Sequence, residues 1–492
     1  MSSSFFTGIA TGSGSLTQLV ATGAMDAHLT QAATETFFKQ NYSKHSLFSL
    51  ETCSQPFNTT PSFGGDSAVT LNRQGDLIHW QYIQIRLPGL AVTPRNQLNT
   101  SQQAFPSDDQ ELRRRVDDDY IVAHIADGYT EGSQATKMRM WNEGREKFEK
   151  ERFGAGFPDP TVQATDLPDY DYAYYTEAIG FHLIRSAELK LGGSIVDTVW
   201  SQLLFAWEEL SGKSGRRLCE QVGRTLRQPT ELMKLSRTAR TLYVPLPFSY
   251  TRHPSLALPL VAMQYHSLQL TVQWASLASC IIKSSQDVVV LNSDTLAPLQ
   301  DSDLKAQVLT TYVQLDNDER NKFAKCNCLR QLITQHQRFT QPINGSANVT
   351  CRLTFSFPVQ ELIFMVRRNA MAKANDHFCY DGIMGREPIE MASLSFNNSI
   401  RFSAEGRWLR TVQPLQHHSS VPLSNIYNYS FALSPESIEP SGSANFSRID
   451  SVDLNLELQA EFASEPAELF VFARSWNILS FSSGLAGIGF SS

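Results

Sequence analysis

"IYNYSFALSPESIEPSGSANFSRIDSVDLNLEL", Ile426 to Leu458, decides the fold. Its ends alternate apolar and polar residues, as half-buried strands do, and its middle, "SPESIEPSG", reads as a long turn. The same design occurs earlier, at the same length, in "LYVPLPFSYTRHPSLALPLVAMQYHSLQLTVQW", Leu242 to Trp274. Aligned without gaps, Leu242 meets Ile426 and Tyr243 meets Tyr427. At the far end Leu268, Leu270, Val272 and Trp274 meet Val452, Leu454, Leu456 and Leu458. Both ends predict period-two strands whose buried faces share one phase.

A second echo lies upstream of each copy. "IRSAELKLGGSI", Ile184 to Ile195, matches "IEMASLSFNNSI", Ile389 to Ile400. Alternating apolar residues make a strand. Gly192-Gly193 or Asn397-Asn398 then supplies two positions tolerant of positive φ, as a two-residue hairpin turn requires. Two echoes in the same order predict a duplicated antiparallel β domain: an all-β chain of two consecutive jelly-roll sandwiches with a few short helices in loops. Between its two elements the first copy carries a helix and a basic stretch, whereas the second is read as having a short loop.

Composition agrees. The chain has 492 residues, 41% hydrophobic and 18% charged, which is too long for one core. Aromatics reach 10%, with 29 Phe and 15 Tyr, and suit pleated faces. The net charge of -7 argues against coating a phosphate backbone, although Lys213 to Arg240 is locally basic. That stretch reads as a solvated loop or a protein contact before it reads as a nucleic-acid site. Seven scattered cysteines fit a reducing compartment better than a disulfide framework. The N-terminus lacks a basic leader with an apolar run, so no signal peptide is expected, and no stretch nears the roughly 18 apolar residues of a membrane span. Asn58, Asn344, Asn348 and Asn445 sit in Asn-x-Ser/Thr triplets, taken as chance matches on polar turns unless a virus supplies its own sugar-transfer enzymes.

Individual segments carry further expectations. Leu77–Leu87 is a strand with a bulge near Tyr82. Val349–Phe357 is a half-buried strand ended by Pro358, after which "ELIFMVRR" runs more continuously apolar. Asp197–Leu210 is a helix, capped by Asp197 and ended by Gly212, and Arg139–Gly154 is a second helix. Residues 1–30 form an extended arm and 31–280 the first jelly roll, with an insertion at about 95–175. Residues 281–485 form the second jelly roll and 486–492 a tail.

At this point four stretches resemble one family. They are the N-terminal "SGSLTQLVATGAMDAHLT", the proline-rich Leu242–Leu270, "QPLQHHSSVPLSNIYNYSFALSPESIEPSGSANFSRID", and the closing "SWNILSFSSGLAGIGFS". Together they are similar to the major capsid proteins of nucleocytoplasmic large DNA viruses, the double jelly-roll lineage. The resemblance implies a virion protein assembled in the host cytoplasm. It further implies a homotrimeric, pseudo-hexagonal capsomer that tiles an icosahedral shell. The implied partners are neighbouring capsomers and minor capsid and penton proteins. An internal membrane near the N-terminal arm is also implied; specific nucleic acid is not.

No catalytic, cofactor-binding or metal residue is predicted, and no cofactor. H-E-x-x-H, Walker and G-x-S-x-G patterns are absent. Cys326 and Cys328 have no second ligand pair at zinc spacing. His417 and His418, read as strand neighbours, would point to opposite faces; His253 and His266 read as packing residues. The alternative is a carbohydrate-binding or carbohydrate-active sandwich. It would need two carboxylates facing across a cleft, and Asp117, Asp119, Asp169 and Asp171 offer acids but no pairing.

Overall fold

In the computed structural model Gly192 and Gly193 adopt φ of 55° and 89°, and Asn397 and Asn398 adopt 48° and 65°. Two successive positive-φ residues make the turn whose twist matches paired strands, so both predicted hairpins form. The structure describes residues 48–92, 172–212, 218–225, 229–284, 288–325, 328–463 and 465–490, together with parts of 13–47.

Eight strands build the first sandwich: β1 (Phe48–Pro56), β2 (Asp66–Thr70), β3 (Leu77–Leu87), β4 (Ile184–Leu191), β5 (Ser194–Trp200), β6 (Arg240–Pro245), β7 (Leu268–Trp274) and β8 (Lys305–Leu315). One sheet has the order β1-β8-β3-β6 and the other β2-β7-β4-β5, all antiparallel. Eight more strands follow: β9 (Leu329–Ile343), β10 (Asn348–Arg352), β11 (Pro358–Arg368), β12 (Ile389–Phe396), β13 (Ser399–Glu405), β14 (Tyr427–Ser430), β15 (Val452–Leu458) and β16 (Ala467–Ser482). Their sheets run β9-β16-β11-β14 and β10-β15-β12-β13. Each strand of the first half thus has its counterpart eight strands later, and in each half the first and last strands are neighbours. This is the jelly roll, built twice.

The likeness extends to single residues. Gln55 on β1 donates from Nε2 to Thr70 O (2.5 Å) and accepts from Asn72 N–H (3.1 Å). Gln337 on β9 donates to Ser356 O (2.7 Å) and accepts from Ser356 N–H (2.9 Å). Both tie the first strand to the link between the next two. The hairpins share a bulge at the same place, after Leu189 and after Leu394. Each proline-rich turn carries the chain from one sheet across to the other, from β6 to β7 and from β14 to β15.

Several expectations are corrected. The ungapped alignment holds at its far end, where Leu268, Leu270, Val272, Trp274 and their partners are all buried. It slips by one at the near end. Leu242 and Val244 face the first core, but Tyr427 and Tyr429 face the second. Hydrogen bonds give the true register, since Leu246 N–H reaches Gln81 O and Phe431 N–H reaches Gln360 O. A strand buried on both faces carries no alternation to reveal its phase. The second copy also has no short loop after its hairpin. A helix, α2 (Gly406–His417), follows β13 just as α1 (Ser201–Ser211) follows β5. Asp197 does not cap α1; it lies within β5, and Trp200 takes the N-cap, while Gly212 ends the helix as expected.

The β3 bulge falls at His79–Trp80 rather than Tyr82, because Thr310 pairs with Gln81 and Tyr312 with Ile78. The strand expected over Val349–Phe357 already ends at Arg352, and Pro358 opens β11 instead of ending that strand. Tyr174 and Tyr175, expected in the insertion, are buried on the strand Ala173–Tyr175, which pairs with Ile281–Lys283. Within the expected extended arm, Ser13–Val20 is helical. The predicted helix Arg139–Gly154 and Asp117, Asp119, Asp169 and Asp171 lie outside the described residues. Beyond the junction expected at 280/281, β8 hydrogen-bonds β1 and β3. Leu485–Ile488 pairs with β16, so the second sheet runs past the expected boundary at 485. We propose that the sandwiches divide at the exposed helix Asn317–Lys325.

Candidate functional site

The two sandwiches meet in a joint built from the outer face of sheet β9-β16-β11-β14 and the α1 side of the first sandwich. The alternation of β11 explains it. Leu362, Phe364 and Val366 fill the second core, whereas Ile363 and Met365 turn the other way and join the apolar cluster of the first sandwich. Phe470, Phe472 and Ile426 do the same. This two-sided burial is why "ELIFMVRR" reads as a continuous apolar run. Phe205 of α1 stacks on Phe378 with ring centroids 4.5 Å apart.

Buried charges occupy the middle of the joint. Glu361 on β11 receives Arg474 Nη1–H of β16 at 2.8 Å and Asn428 Nδ2–H of β14 at 2.9 Å. His418, the C-cap of α2, places Nε2 2.9 Å from Glu361 and Nδ1 3.0 Å from Glu436. From the first sandwich Trp207 closes the cluster, with the Arg474 guanidinium 4.2 Å and the Arg252 guanidinium 5.6 Å from its ring centre. Arg252 also donates to Glu436 O at 2.7 Å. Burial alone would lower the His418 pKa, but Glu361 and then Glu436 more than offset it and hold it up at about 9. Burial would raise Glu361; His418 and Arg474 outweigh that and bring it to about 2. The cluster is therefore ionised at neutral pH, with opposite charges in contact, which is how buried charge is tolerated.

Further polar contacts cross the joint. His336 on β9 donates its backbone N–H to Asp197 on β5 at 2.8 Å, with Nδ1 3.0 Å from the same carboxylate. Thr334 N–H reaches Ser249 Oγ at 3.3 Å. His182 and His377 stack at 3.8 Å and 5° over Ser279. Burial pushes His377 down to about 4 and His182 well below its ordinary value; the Arg367 charge adds to both shifts, and His377 adds to that of His182.

His417 and His418 sit at a helix end, not on a strand. His417 Nδ1 contacts Leu433 O, so the two rings serve different partners. His266 Nδ1 lies 2.8 Å from Ala486 O and ties the C-terminal hairpin to the first sandwich; His253 Nδ1 accepts from Ser255 N–H. Among the described residues no group of three His, Cys, Asp or Glu could hold a metal ion. Part of the basic stretch is used internally, since Arg224 is buried in ion pairs with Glu208 (2.7 Å) and Glu209. Asn58, Asn344, Asn348 and Asn445 are exposed. The residues of the joint carry no catalytic or metal-binding motif, although His418, Asn428 and Glu436 lie in the segment from Gln413 to Asp450 that carries the family resemblance. The sole hint was the doubled apolar face of β11.

Two antiparallel jelly rolls in tandem, welded through a buried joint, define a double jelly-roll protein. Residues 36–108 and 160–316 match the family described as major capsid protein N-terminus, and 319–487 match large eukaryotic DNA virus major capsid protein. The major capsid protein of Pyramimonas orientalis virus is 27% identical over 506 residues, covering 97% of this chain and 99% of that one. That of Paramecium bursaria Chlorella virus 1 is 24% identical over 528 residues, covering 97% and 99%. In three dimensions the chain is similar to the PBCV-1 virus capsid protein (TM-score 0.64, 20% identity, 93% of this chain and 100% of that one). It is also similar to the Faustovirus major capsid protein (TM-score 0.64, 11% identity, 95% and 96%). The chain belongs to the major capsid protein family of large eukaryotic DNA viruses. It is a structural component of the virion and not an enzyme.

Proposed function

We propose that three copies associate into a pseudo-hexagonal capsomer and that these capsomers tile an icosahedral shell. The observation that carries this reading is the strand-by-strand equivalence of the two sandwiches. Two equivalent lobes per chain let a three-fold assembly present six similar sides, while the sequences of the two lobes remain free to differ at each edge. Minor capsid and penton proteins are the partners the shell would need at its edges and vertices, and the N-terminal segment is the part we assign to the inner, membrane-proximal side. Assembly in the host cytoplasm fits a chain in which Cys53, Cys280, Cys328 and Cys351 form no disulfide. The test is electron microscopy of the purified protein. Three-fold particles with six lobes are expected; compact particles with two lobes would refute the reading.

A further inference from the structure

One side of the joint is held through two neutral imidazoles. Residues 375–380, in the link between β11 and β12, lie against the first sandwich. Asn375 donates from Nδ2 to Ala278 O (2.8 Å) and Ile281 O (2.7 Å), and its own carbonyl receives Thr176 Oγ1–H (2.5 Å). Phe378 and Tyr380 enter the apolar cluster of the first sandwich. Between these anchors the His377 ring covers that of His182, with centroids 3.8 Å apart and planes 5° from parallel. Both rings reach Ser279, whose bonds fix their protons. Ser279 gives its hydroxyl proton to Ser276 O (2.8 Å), so Oγ accepts from His182 Nε2–H (3.2 Å). Ser279 O can only accept, so His377 also carries its proton on Nε2 (2.9 Å). Burial keeps both rings neutral, and on each Nδ1 is the atom left to take a further proton.

We propose that this stack is an acid-sensitive catch: a proton arriving at Nδ1 of either ring releases residues 375–380 from the first sandwich and lets that side of the joint open, while the rest of the joint stays closed. Such a proton creates an imidazolium in a buried site, which is costly without a counter-charge. Among the described residues neither ring has a carboxylate partner. The charge that acts on both is Arg367 on β11, a like charge, itself paired with Glu468 of β16 at 2.8 Å. Asp376 adjoins His377 in the chain and acts on Tyr174, and Cys280, beside Ser279, is a thiol that burial pushes up to about 12. A second proton sets two cations 3.8 Å apart. The other histidines of the joint respond differently. His336 faces Asp197, and His418 faces Glu361 and Glu436, so a proton on either meets a carboxylate. Glu361 stays ionised down to about 2. Mild acid therefore acts on the stack and leaves the Glu361 cluster as the pivot. The catch is closed above the ordinary histidine value of 6.5 and loosens as pH falls toward the value of about 4 held by His377. A capsid protein with this catch is rigid at neutral pH and becomes flexible within the subunit in acid, with no change needed at contacts between copies.

Hydrogen exchange of the full chain, read by mass spectrometry at about pH 7 and about pH 5 and corrected for the intrinsic rate, tests it. In the wild type, exchange in peptides covering 375–380 should quicken roughly tenfold for each pH unit below 6.5, while peptides from β11 and β16 around Glu361 and Arg474 keep their protection. His377→Gln keeps a donor for Ser279 O but takes no proton, so its 375–380 peptides should stay as protected at about pH 5 as at about pH 7. Protection at 375–380 that falls equally in the wild type and in His377→Gln would overturn the catch, because acid would then act elsewhere. So would protection that does not fall at all, or that falls together with β11 and β16. His182→Gln makes the same comparison from the first sandwich's side, should His377→Gln fail to fold. Histidine NMR of the wild type is independent of both variants: a ring of this pair that titrates at its ordinary value while 375–380 stay protected would overturn the proposal.

Discussion

At the scale of single residues the account turns on Glu361. It is a fully buried carboxylate held by Arg474, His418 and Asn428 at the centre of the joint. Removing one member of such a cluster strands its partners in a medium that cannot solvate them. Glu361→Ala should therefore destabilise the chain by roughly 3–5 kcal/mol, read as a loss in chemical denaturation. The histidines set the pH limits. His418 titrates at about 9 in the folded chain against 6.5 unfolded, so its contribution is complete below 6.5 and disappears as pH rises through about 9. His377 is shifted the other way, to about 4, so stability falls as pH drops from 6.5 toward 4, where the unfolded chain binds the proton that the fold refuses. A melting profile across pH should peak near neutrality. His418→Gln should flatten its alkaline limb and His377→Gln its acid limb; unchanged limbs would show that these rings do not set them.

At the scale of elements, legibility followed exposure. The two hairpins were readable because each has one polar face and a turn whose residues must tolerate positive φ. Gly193 tests that directly. A Cβ there would meet nothing within 4 Å, so any cost of Gly193→Ala comes from its φ of 89° alone. We expect a loss of about 1 kcal/mol in denaturation; a neutral substitution would mean that the turn relaxes. The far ends of the long turns were readable too. Leu454 is wholly buried on β15, and Leu454→Ala should cost roughly 2–5 kcal/mol. Three features were hidden. The one-residue slip of β14 was hidden because Tyr427, Asn428 and Tyr429 are all buried, leaving no alternation to count. Helix α2 was hidden because Pro414, a residue that ordinarily ends a helix, lies inside it. The joint was hidden because its residues come from many separate segments, and nothing local marks Glu361 or His418 as partners.

At the scale of the whole molecule, duplication has an asymmetric result. The outer face of sheet β9-β16-β11-β14 has become core: Ile363, Met365, Phe470 and Phe472 share one apolar cluster with the first sandwich. The equivalent face of the first sandwich has kept water-compatible residues such as Gln84, Gln307 and Tyr243, which bond to one another in the plane of the sheet. Equilibrium sedimentation of the purified chain is the most direct test. Three times 55.1 kDa, unchanged on dilution, is the mass the account predicts; a stable 55.1 kDa species at every concentration would contradict it.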